Sequence, residues 1–217
     1  MADAEGQQHP LKIYWIMWGA LFVLSGFSYA TDFMQDGVVR TALILTFISA
    51  HAWFTFKIYE LKGFPVGAGR DTVVDYHPFL NNRGEVFNTT LEYIDKNLSA
   101  DVEFATFPDA IMLNYMSRRK SPIRDVNLNP HVWQIVGDEQ VLQDLYATSP
   151  AYIILVDHDF SYFGLRYFGQ DFAVPIYSWI TQNYTLEKQI GATPFTGKGF
   201  GIQILKRNSD RKNPKNA

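Results

Sequence analysis

The chain has no cysteine. That excludes disulfides and thiolate-bound metals, but it does not choose a compartment, because many periplasmic proteins also lack the residue. Charge of either sign is in little excess: the formal net charge is −3 at pH 7. Such a balance leaves no nucleic-acid footprint, and no nucleic-acid partner is expected. The cations Lys206, Arg207, Arg211, Lys212 and Lys215 gather only near the end, in an Asn-rich stretch expected to be a disordered basic tail over 208–217. There is no Gly-x-Ser-x-Gly elbow. Gly67-x-Gly69 lacks a strand–turn–helix setting, and Gly197-x-Gly199-x-Gly201 precedes a strand pattern. Those glycines are therefore expected to shape turns, not to cradle phosphate. No internal repeat or low-complexity stretch is present. Charge is also missing from two stretches near the start.

From Ile13 to Ala30 no residue is charged, and a second uncharged run extends from Thr41 to Phe56. A helix needs about 20 mostly apolar residues to cross the hydrocarbon core. The first run just meets this. The second meets it if Arg40 and Lys57 snorkel at its ends. Tyr14, Trp15, Trp18, Tyr29, Trp53 and Tyr59 lie towards the run ends, where aromatic belts sit. The leading segment, 1–12, is acidic at Asp3 and Glu5, and no cleavage site is followed by mature-looking sequence, so a cleaved signal peptide is not expected. A two-helix transmembrane hairpin over 13–60 is the expectation. The plainer alternative is a pair of core helices, for which the short second run and its His51 speak. A short link from Thr31 to Val39 places both ends of the hairpin on one side. The positive-inside rule, counted over Arg40 against Lys12, Lys57, Lys62 and Arg70, favours that side being cytoplasmic by a small margin.

Gly63, Pro65, Gly67 and Gly69 make 61–70 read as a linker. Beyond it, 71–207 alternates between two periods. Phe87, Leu91, Ile94 and Leu98 recur at helical spacing over Val86 to Leu98. Val102 to Phe107 alternates as a strand. Pro108-Asp109 then opens a helix through Met116, with Asp109 as its cap or in its first turn. A helix over Asp138 to Tyr146 follows, then Tyr152 to Val156, an apolar run of the kind buried on both faces. Phe172 to Trp179 is expected to be helical despite Pro175. Tyr184 to Ile190 and Gly199 to Leu205 are expected as closing strands. The alternation predicts a small three-layer α/β domain with a partly parallel sheet.

Chemistry in such a sheet gathers beyond the carboxyl ends of strands. Two loops qualify. One holds Asp109; the other holds Asp157-His158-Asp159 and runs on to Tyr162. These five residues are the candidate binding residues. Two aspartates around a histidine have the chemistry to bind a divalent metal or share a proton, but the spacing is no recognised metal signature, so neither a metal nor any other cofactor is expected. Capping and loop structure is the plainer reading of the same residues. Arg118-Arg119-Lys120 offers cations for phosphate, against the plainer reading of a solvated helix end. Asn88, Asn97 and Asn183 open glycosylation sequons, informative only where that machinery exists.

Several segments, in order, carry a resemblance: Phe64-Pro-Val-Gly-Ala-Gly-Arg-Asp71, Phe107-Pro-Asp-Ala-Ile-Met-Leu-Asn-Tyr-Met-Ser-Arg-Arg119, Val126-Asn-Leu-Asn-Pro130, Tyr152-Ile-Ile-Leu-Val-Asp-His-Asp159, Tyr162-Phe-Gly-Leu-Arg-Tyr-Phe-Gly-Gln-Asp171 and Gly199-Phe-Gly-Ile-Gln-Ile-Leu-Lys-Arg207. Together they resemble the C-terminal end of large bacterial membrane glycosyltransferases of the GT-C type, related to dolichyl-phosphate-mannose–protein mannosyltransferases. The hairpin, from His9-Pro-Leu-Lys-Ile-Tyr-Trp15 through Val39-Arg-Thr-Ala-Leu-Ile-Leu45, looks more like subunit IV of bacterial haem-copper oxidases.

The first resemblance implies an extracytoplasmic α/β domain at the bacterial inner membrane, against the charge count. It also implies a sugar-linked function. The departure is that the family's catalytic acid sits in a core of many more membrane helices. Asp32 and Asp36 lie in the link here, but nothing around them matches that catalytic loop. The expectation is therefore a membrane-anchored, glycosyltransferase-like terminal domain that is not catalytic alone. Its expected partners are the bilayer, an integral membrane protein, and a glycan or lipid-linked sugar. The alternative is a structural or assembly subunit of a larger membrane complex, such as an electron-transfer complex. A self-sufficient enzyme built on Asp157–Asp159 is the third reading.

Overall fold

The computed structural model describes residues 11–34, 37–125 and 127–208. The expected basic tail, apart from Asn208, lies outside them, as do Asp36 and most of the N-terminal segment. The chain divides into two compact units, with the division after Gly63.

The first unit holds α1 (Leu11–Asp32) and α2 (Val38–Glu60). Phe27 stacks on Phe47 at 5.5 Å between ring centroids, and Arg40 pairs with Asp32 across the link at 3.4 Å. The two helices therefore fold back as a hairpin. Among the described residues, α2 is one helix long and apolar enough to cross a membrane by length and composition. None of its residues is buried within the protein. The sequence predicts two spans; among the described residues α1, over the first run, does not pass the same test, so only one of the two is found at this level.

The second unit is an α/β domain. Its four-stranded sheet comprises β3 (Phe104–Phe107), β4 (Tyr152–Val156), β5 (Tyr184–Gly191) and β6 (Gly201–Arg207), in the order β3-β4-β6-β5. The β3–β4 pair is parallel and the other pairs are antiparallel, so the sheet is mixed, as the sequence predicts. Side chains alternate across β4, and this divides the core in two. Ile153 and Leu155 join Val141 and Leu145 of α5 (Pro130–Thr148) and Ile176 and Ile180 of α6 (Val174–Asn183). Ile154 and Val156 face the other way, onto Val86 and Ile94 of α3 (Arg83–Asn97) and Leu113 of α4 (Ile111–Ser117). Helices thus cover both faces, which makes three layers. Pro175 falls in the first turn of α6, where its missing N–H would have had no helical partner anyway.

Three expectations are revised. The stretch 61–70 is not a bare linker, because β1 (Phe64–Val66) lies within it and pairs with β2 (Val73–Asp75). Gly84 is why this small ribbon can press against α3: a Cβ there would stand 2.8 Å from the Phe64 ring and 2.9 Å from Val66. The helix expected from Asp138 begins earlier, at Pro130, capped by the Asn129 carboxamide, which accepts from the N–H groups of His131 and Val132, both at 3.0 Å. Gly137, at φ 76°, kinks it where the sequence reading began. Finally, Asp109 does not cap α4. Ala110 holds that position with no side-chain cap. The expected turn before β6 is present, and Gly201 is needed there, since a Cβ would come within 1.7 Å of the Ala192 carbonyl oxygen.

Candidate functional site

Parallel pairing of β3 and β4 brings the two candidate loops together beyond the carboxyl ends of these strands. Asp109 follows β3 by two residues and His158 follows β4 by two. The Asp109 backbone is held by a bridge to Asn127, and the Pro108 carbonyl accepts from the Leu128 N–H at 2.7 Å. The Asp109 carboxyl and the His158 imidazole are near enough for each to feel the other's charge. The imidazole lies flat on Phe160, with centroids 4.0 Å apart and planes within 4°. The Tyr162 ring stands 6.5 Å away and is 68% exposed.

Burial pushes the His158 imidazole below its ordinary value. The Asp109 carboxylate pulls it back up, and the Arg83 guanidinium adds to the downward push. Burial likewise raises the Asp109 carboxyl, with the His158 charge opposing. Burial, and then the Asp109 charge, raise the Tyr162 hydroxyl. A half-buried imidazole with a lowered proton affinity thus sits beside a carboxyl group with a raised one, with an open aromatic face next to them.

The remaining two candidates serve structure instead. The Asp157 carboxylate accepts the Phe195 N–H at 2.6 Å and ties the β5–β6 loop to the end of β4; burial raises its carboxyl. Asp159 accepts from the Ser161 N–H at 2.9 Å, from the Ser161 hydroxyl, and from Arg166 Nε at 3.1 Å. The Asp157-His158-Asp159 run therefore does not converge. Among the described residues, no group of three or more His, Asp or Glu side chains is placed to hold a metal ion.

Arg119 is also structural. It is buried at the ends of α3 and α4, and its guanidinium donates to the carbonyls of Leu98 at 2.9 Å, Ser117 at 3.0 Å and Ile94 at 3.3 Å. Arg118 is exposed and paired with Asp71. The Asn88 amide donates to the Pro65 carbonyl, and its oxygen accepts from the Gly67 N–H, so this sequon side chain fastens β1 to α3.

Two site residues lie outside the sequence reading. Arg83 opens α3 and is locked to Asp75 by two 2.8 Å hydrogen bonds; nothing in the spacing of 83 and 158 signals their proximity. Phe160 supplies the stacking floor, and its only sequence signal is its place two residues after His158. Protein-family models, curated proteins and solved structures gave no match to this chain. What the site can do follows from its own atoms: Asp109 and His158 accept or donate hydrogen bonds, and Tyr162 offers a flat apolar face beside them.

Proposed function

We propose that this chain is a membrane-anchored, glycosyltransferase-like domain that binds a sugar-bearing ligand and leaves catalysis to a membrane partner. The observation that carries the reading is the convergence of Asp109, His158 and Tyr162. A sugar presents hydroxyls around its rim and C–H groups on its faces. Asp109 and His158 suit the rim, and the exposed Tyr162 ring suits a face. In this reading both helices of the hairpin cross the bacterial inner membrane, and the α/β domain lies on the extracytoplasmic side. His51 supports a partner: it is exposed near the middle of α2, and an ionisable group at that depth usually faces another helix or a polar cavity.

The test is titration of the full chain in nanodiscs with polyprenyl-phosphate sugars, reading binding and donor turnover together. Wild-type binding without turnover is expected, weakened about tenfold or more by Asp109→Asn and by Tyr162→Ala, as loss of a charged hydrogen bond or a stacking face implies. Equal binding by both variants would discard the site. Turnover by the wild-type chain would discard the non-catalytic reading.

The same His51 also fits a structural subunit of a larger membrane complex. Both readings expect a many-helix partner, so purification from native membranes separates them by that partner's kind, a sugar-transferring membrane core against a complex whose assembly does not depend on sugar.

A further inference from the structure

The β1–β2 ribbon and the loop after it carry apolar side chains that the domain does not use. Val74 is 65% exposed, Phe79 72% and Leu80 52%. They sit on a built support. The Asp75–Arg83 pair fixes the base of the loop. The Leu80 N–H donates to the His77 carbonyl at 2.8 Å and closes a turn that holds Phe79 outward. Phe79 stacks on His77 at 5.4 Å, and His77 meets the Phe64 ring edge to face at 6.0 Å. A ladder of three rings therefore runs from β1 to the exposed tip.

Phe64 is also where the chain arrives from α2. Helix α2 ends at Glu60, so only Leu61, Lys62 and Gly63 intervene. Fully extended, three residues reach about 10–11 Å, only a few ångströms beyond the roughly 5–8 Å headgroup layer on each side of the hydrocarbon core. The foot of the ring ladder is thus tethered at the bilayer boundary if α2 spans it. The residues around the tether suit that layer. Tyr59 is 68% exposed, Lys57 pairs with Glu60 in the last turn of α2, and Lys62 lies in the tether itself, a mixture of aromatic and basic groups of the kind that interfaces collect.

We propose that the 73–80 ribbon tip is a lipid-contacting surface that seats the α/β domain on the membrane, with Phe79 and Leu80 entering the headgroup–acyl boundary. The inference rests on the membrane reading of α2. Seating by the ribbon restricts the domain's tumbling on its short tether. It also gives the segment from Val73 to Leu80 a role that its own fold does not require.

The absence of cysteine makes the test clean, because a single introduced cysteine can carry an environment-sensitive nitrobenzoxadiazole dye on the full chain. Phe79→Cys is the probe position, Ile48→Cys in α2 reports the membrane span, and Thr185→Cys on β5 is the distant surface control. Each is reconstituted in phosphatidylethanolamine–phosphatidylglycerol nanodiscs, with or without lipids spin-labelled on the acyl chain. The expected result is blue-shifted emission and strong quenching at 48 and at 79, and neither at 185. Quenching at 48 with none at 79 overturns the ribbon contact and leaves the membrane span standing. No quenching at 48 overturns the span and the ribbon contact with it. A blue shift at 79 that spin-labelled lipid does not quench identifies a protein, not lipid, over the tip, and overturns the proposal. Equal quenching at 79 and 185 overturns the specific seat.

Discussion

At His158, burial and the Asp109 charge pull in opposite directions, and burial wins. The folded imidazole therefore binds its proton less readily than the unfolded one. Between the unfolded value near 6.5 and the lowered folded value, the unfolded state holds more protons. Stability from this group is thus fully present above about pH 6.5 and is lost as the pH falls towards the folded value. Replacing it with Gln should flatten that part of the profile. The check is the thermal midpoint of wild type and His158→Gln between neutral pH and the onset of general acid unfolding; parallel curves would show that His158 is not desolvated. Asp109 acts in the opposite sense, because its raised carboxyl value removes stability as the pH climbs through its window. At this scale the sequence singled out two loops that the fold brings side by side, because β3 and β4 are parallel neighbours. It could not sort Asp157 and Asp159 from Asp109. Asp157 is claimed by the Phe195 N–H, far along the chain, and Asp159 by Arg166 across a local turn, partnerships that no spacing announces.

Among the elements, β4 decides the domain. Its residues Ile153 to Val156 are buried on both faces, and Leu155 is 1% exposed within the cluster that α5 and α6 complete. Leu155→Ala should cost about 2–5 kcal/mol, the range for emptying a well-packed leucine site. Chemical denaturation gives the number directly, and a loss under about 0.5 kcal/mol, typical of surface changes, would mean that β4 is not central. This strand was legible because an unbroken apolar run rich in β-branched residues has few other places to go. The β1–β2 ribbon was not. Its strands are three residues long, too short for a period, and Gly67 and Gly69 between them read as a break. The start of α5 was missed for another reason. Asn129-Pro130 is an N-cap followed by proline in the first helical position, but Gly137 interrupts the apolar pattern that would have linked it to the rest.

For the molecule as a whole, the hairpin sets a sharp expectation about membranes. With α2 unburied along its length and joined to α1 by a short link, the full chain should resist alkaline carbonate extraction. Reporters fused after residue 217 and before residue 1 should respond from the same side. Release of the intact chain into the supernatant would return both helices to a soluble core. Reporters on opposite sides would leave a single span. Charge counting and family resemblance favoured different sides of the membrane, and the reporter decides between them.

The strand order β3-β4-β6-β5 places β6 between two strands made before it. Sheet partners Ile154 and Ile204 are fifty positions apart in the chain, and β5 touches the sheet only through β6. While the protein is being synthesised, β4 and β5 therefore emerge with no common neighbour. Their ladder edges stay open until the last strand slots in. The sheet should thus close only after β6 has left the ribosome or translocon. A chain stalled before Gly201 would present bare edges to chaperones and proteases, however complete its helices.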